Sequence, residues 1–104
     1  MFTMHERCGS LSELVDLRTS LRQQEFLLQN ALVDVQEELR CWGRHRNVRE
    51  ACGEKVPREL SVVWDELGER ERELAMDIIQ VRRALLETNQ EIQQRLHGQR
   101  PVAG

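Results

Sequence analysis

The sequence predicts an all-α protein of two long amphipathic helices, on three observations. An apolar residue recurs every seventh position at Leu14, Leu21, Leu28, Val35 and Trp42. A second stripe advances by alternating steps of four and three residues from Leu60 to Ile92. Strand formers are scarce: there is no Tyr, there are two Phe, and the Val and Ile residues fall inside helix-period stripes instead of alternating. With 104 residues, the chain has room for one small domain. Its charged fraction of 32% against 39% hydrophobic is the balance of exposed helices more than of a thick core.

The first helix is expected over residues 10–42, after a flexible N-terminal segment 1–9. Ser10-Leu11-Ser12-Glu13 has the spacing of a capping box, in which the serine hydroxyl accepts from the Glu13 amide and the Glu13 carboxylate accepts from the Ser10 amide. A repeat of seven keeps Leu14, Leu21, Leu28 and Val35 on one side of the helix. The companion positions are Leu11, Arg18, Glu25, Leu32 and Leu39, so the stripe is broken by charge in its middle, where Ala31 and Leu17 partly repair it.

Gly43 reads as the stop, and residues 43–57 as a polar, basic connector with room for a short helical piece over 46–52. Pro57 suits the first turn of a second helix, where a missing amide is harmless, and Glu59 favours that start through the helix dipole. The second helix is expected over 58–97. Its stripe runs Leu60, Trp64, Leu67, Glu71, Leu74, Ile78, Val81, Leu85, Thr88 and Ile92, with Gly98 and Pro101 closing it and a flexible tail 98–104.

An antiparallel hairpin lets the two stripes meet as a seam of Leu14, Leu21, Leu28 and Val35 against Leu60, Leu67, Leu74, Ile78, Val81, Leu85 and Ile92. A seam of two helices leaves a second apolar face of Phe26, Leu27 and Val33 on the first helix and Val62, Met76, Ile79 and Leu86 on the second. Such surface calls for a partner, either a second copy completing a bundle or a helix of another protein, with neither favoured. Arg18, Glu25 and Glu71 interrupt the seam. Their first reading is as edge positions with charges in water, and the alternative is pairing across the helices that fixes register.

Charge limits the function classes. The net charge of −3 is not that of a general nucleic-acid binder. Residues 40–49 alone carry +4, from Arg40, Arg44, Arg46 and Arg49, so the remaining residues together carry −7. The first reading of this window is neutralisation by Asp65, Glu66, Glu69, Glu71 and Glu73 of the second helix. The alternative is an anion contact, to an acidic peptide, to a phosphoinositide headgroup of an anionic membrane surface or to nucleic-acid phosphates. Trp42 and Trp64 flank the connector and are expected to pack together at the hairpin tip.

Candidate chemistry is thin. Cys41, His45 and Cys52, with His5 and Cys8 distant, contain donors for zinc but no close cysteine pair, so neither a metal nor any other cofactor is expected. No phosphate loop and no His-Glu-x-x-His motif occurs, and carboxylate pairs such as Glu37-Glu38 belong to solvated helix faces, so no enzyme is expected. Three sparse cysteines point to a reducing, cytoplasmic compartment. Apolar runs are far too short to span a bilayer, although peripheral membrane contact stays open. The function expected is that of a non-enzymatic coiled-coil scaffold or adaptor subunit. The alternative is a regulatory module whose Arg-rich window binds nucleic acid or anionic lipid. A third possibility, that the chain is one segment of a larger coiled-coil protein, is mildly opposed by its starting Met1.

Overall fold

The computed structural model describes residues 9–99, and the expectations for residues 1–8 and 100–104 lie outside them. Two helices, α1 (Leu11–Ala51) and α2 (Arg58–Gln99), form a helical hairpin, with no strand among the described residues. By packing, the chain divides into two compact units. One consists of the described residues up to Phe26 and from Ile79 onward, the other of Leu27–Ile78.

α1 begins as a reciprocal cap. The Glu13 amide donates to Ser10 Oγ at 3.2 Å, and the Ser10 amide donates to Glu13 Oε1 at 2.8 Å, satisfying two amides that have no partner within the helix. Gly9 precedes the cap at φ +57°, and the Glu13 carboxylate fills the space where a Cβ would stand.

The helix does not stop at Gly43. It runs on for eight residues to Ala51, so the expected connector of 43–57 shrinks to 52–57. A glycine inside a helix costs only about 1 kcal/mol relative to alanine. Here its missing side chain makes room, because a Cβ on Gly43 would sit 3.2 Å from the Trp64 ring. The true stop is Gly53, at φ +77°, where the Glu54 amide donates to the Arg49 carbonyl at 2.9 Å and the Gly53 amide to the Glu50 carbonyl at 3.0 Å. These two bonds define a Schellman motif with glycine at its left-handed position. An added Cβ there meets nothing within 4 Å, so only backbone strain opposes it. Gly53→Ala is therefore expected to destabilise the hairpin by ~1 to 2 kcal/mol, read as a lower denaturant midpoint with an unchanged slope.

α2 starts after Pro57, whose carbonyl accepts from the Leu60 and Ser61 amides at 3.1 and 3.3 Å. It continues through Gly98 to Gln99, two residues past the expected end.

In the unit holding the chain ends, Leu14, Leu85, Ile92 and Thr88 are buried, and the Thr88 hydroxyl is satisfied by donating to the Ala84 carbonyl at 2.7 Å. Arg95 Nη1 donates to the Gly9 carbonyl at 2.6 Å, tying the end of α2 to the cap of α1. In the Leu27–Ile78 unit the core is Val35, Leu74 and Ile78. Of the remaining seam positions, Leu21, Leu28, Leu60, Leu67 and Val81 are half-buried.

Candidate interaction site

The three charges that interrupt the seam do not simply face water. In the first unit Arg18 Nη1 donates to Asn89 Oδ1 at 3.4 Å, and seven residues on, Glu25 Oε2 accepts from Arg82 Nε at 2.6 Å, seven residues back along α2. In the second unit Gln36 Nε2 donates to Glu71 Oε2 at 3.3 Å, and seven residues on, Gly43 lies against Trp64, again seven residues back. In each unit a seam residue of one helix meets a flanking residue of the other, and one heptad forward on α1 matches one heptad back on α2. That is antiparallel register written in side chains. The expectation that these charges sit unpaired at the seam edge is corrected. The reason is geometric: Arg and Glu side chains at seam positions are long enough to reach the flank of the facing helix, where a polar partner stands in each case. No buried side-chain nitrogen or oxygen among the described residues lacks a partner, as a polar seam requires.

Large apolar side chains stay exposed in each unit. Phe26 is 64% and Leu27 65% exposed, and Val33, Val62, Met76, Ile79 and Leu86 are exposed as well. Leu17, Val48 and Leu96 join them and are not part of the expected second face. Leu17 was read as a repair of the seam, but it lies outside it. Val48 was hidden in what read as a loop, and only its place on a helix gives it a face.

The arginine window is a helical surface, not a loop. Arg46 pairs with Glu50 at 3.3 Å and Arg49 with Glu54 at 3.6 Å, both within the same stretch of chain. Among the described residues Arg40 and Arg44 have no carboxylate within salt-bridge distance; of the acids expected to neutralise the window, Asp65 lines the tip cavity beside Arg46 and Glu71 accepts from Gln36. For Glu66 and Glu73 the reason is angular. Gln36, Arg40, Gly43, Arg44 and Asn47 follow one another by helical neighbour steps, and this stripe borders α2 through Gln36 and Gly43. Glu66 and Glu73 stand two positions on from Trp64 and Glu71, which turns them about 200° away from those contact residues.

The two tryptophans share the hairpin tip. Trp42, Trp64, Val56 and Leu60 line a small cavity of about 80 Å³, beside Arg46, Ser61 and Asp65. Arg46 lies over the Trp64 ring, 5.3 Å from its centroid, as a cation–π contact. His45 meets Trp42 edge-on at 6.2 Å and its Nε2 accepts from Arg49 Nε at 3.1 Å. Cys41 and Cys52 are free and exposed, and Arg44 Nη2 donates to Cys41 Sγ at 3.7 Å. No group of three or more potential metal ligands forms among the described residues; His5 and Cys8 lie outside them. No described helix is long and apolar enough to cross a membrane. No protein-family model, no curated protein and no solved structure matches the chain.

Proposed function

We propose that this chain is a non-enzymatic assembly subunit, a coiled-coil scaffold or adaptor that works by helix packing against a protein partner. One observation carries the reading: among the described residues six apolar side chains are fully buried, whereas ten large ones stay exposed. A hairpin with more large apolar groups outside than inside is half of an interface. Covering them by a second copy or by a helix of another protein satisfies the same chemistry. The free, exposed thiols of Cys41 and Cys52 suit a reducing compartment such as the cytoplasm.

Photo-crosslinking tests the reading. A photoreactive residue placed at the exposed apolar positions Ile79 or Leu86 is expected to give one discrete protein adduct, and the same group at exposed Gln90 is expected to give none. Equal labelling at the three positions, or none at all, overturns it.

A second reading keeps one supporting observation, the absence of carboxylate partners on Arg40 and Arg44 among the described residues. It makes the arginine face a contact for nucleic acid or anionic lipid, and it requires binding that weakens steeply as salt is added.

A further inference from the structure

The arginine face carries more shape than a charge patch needs. Leu39, Arg40, Gly43, Arg44, Asn47 and Trp64 line a shallow, open groove of about 340 Å³ within the Leu27–Ile78 unit. Its geometry follows from the sequence. Gly43 contributes no side chain, and the Trp64 ring edge packs against its backbone and forms one wall between Arg40 and Asn47. Leu39 supplies an apolar, half-buried floor. Arg40 and Arg44 stand four residues apart on the same helical face, both exposed, and neither has a carboxylate partner among the described residues.

We propose that this groove binds an acidic segment of another protein. A bulky apolar side chain enters against Leu39 and Trp64, and flanking carboxylates take the two guanidinium groups. The proposal rests on the assembly reading above and names the partner's chemistry. Charge complementarity selects this occupant. Arginine presents a planar fork of donors matched to carboxylates, and an apolar wall beside it excludes water from one side of the pair. A second copy meeting the first face to face about a two-fold axis would set Arg40 and Arg44 against their own counterparts, which is repulsive. Nucleic acid is disfavoured because Arg46 already covers one face of Trp64, while a base would need that ring as a stacking platform.

The test uses the full chain. Random peptides displayed on phage are selected against it, and the enriched sequences are titrated calorimetrically against the parent, against Arg40→Glu with Arg44→Glu, and against Ile79→Ser with Leu86→Ser. All four positions are exposed, and matching helicity of each variant confirms that the hairpin is kept. The expected result is peptides with Asp or Glu on both sides of Leu, Phe or Trp. The charge reversal should weaken their binding at least about tenfold, Arg40→Gln with Arg44→Gln should do so less, and the serine variant should leave it unchanged. Peptides without acids, or binding lost only in the serine variant, overturn the groove while leaving the assembly reading intact. No enrichment overturns the groove and leaves the assembly reading to the crosslinking test, since cover by a second copy needs no peptide. Self-association abolished by the charge reversal, or tighter binding of a single-stranded RNA oligonucleotide at the same residues, also overturns the proposal.

Discussion

Leu74→Ala is expected to abolish the cooperative melt of the hairpin or lower its stability by ~2 to 5 kcal/mol, the range for truncating a buried leucine. Leu74 is the largest fully buried side chain, at 1% exposure, and Ile78, one turn on, shares its core. With so few buried groups, no neighbouring layer is thick enough to collapse into the cavity. Leu27→Ala, at a position 65% exposed, is expected to cost clearly less than Leu74→Ala, because the side chain it truncates lies outside the seam. Denaturant titration followed by circular dichroism separates the two. Equal losses for both substitutions would mean that the seam is not where the structure puts it.

Replacing Arg18, Glu25 and Glu71 together by leucine is expected to act in the opposite direction. Each substitution exchanges a polar seam side chain for one that gains ~1.5 to 3 kcal/mol when fully buried, so the midpoint should rise. Specificity should fall at the same time, because the bonds to Asn89, Arg82 and Gln36 are what distinguish this alignment from one shifted by a heptad. The readout is molar mass by light scattering together with the width of backbone amide resonances. A variant of raised stability that samples several masses or registers is expected. A variant of lower stability, or one that keeps a single sharp species, contradicts a register role for the three residues.

The elements were legible in the sequence where physics is local. Ser10 and Glu13 three residues apart mark the start of α1, and Pro57 with Glu59 marks the start of α2, because a cap is decided within one turn. The seam at Leu14, Val35, Leu74, Ile78, Leu85 and Ile92 was legible because a period of seven has one geometric meaning. The end of α1 was not. Gly43 and Gly53 look alike as letters, yet one is helical beneath Trp64 and the other left-handed with an open Cβ position. What separates them is a tryptophan twenty-one residues downstream that reaches Gly43 only once the hairpin has closed.

The same limit governs the candidate site. Partners for Arg18, Glu25 and Glu71 depend on the register between two helices, which neither helix encodes alone. Ending the first helix at residue 42 hides the helical face that Arg44 shares with Arg40 and leaves Val48 without a continuous helix to give it a face. Composition correctly flags the charge imbalance of the window, but which carboxylate lies near which arginine is a matter of angle around the helix. Arg46 and Arg49 pair with acids four and five residues away, Glu50 and Glu54, and of the acids expected from α2, Glu71 meets Gln36 instead of an arginine.

The central claim is the proposal that folding and assembly of this chain are one event, which rests on ten large apolar side chains exposed and six buried among the described residues. Molar mass by light-scattering chromatography and helicity by circular dichroism, measured on the same samples across a dilution series, test it most directly. The expected result is that no concentration yields a chain that is at once monomeric and fully helical: helicity and mass fall together, or the chain alone is monomeric and poorly helical. A monomer that keeps its full helicity and a cooperative melt at every dilution would contradict the claim.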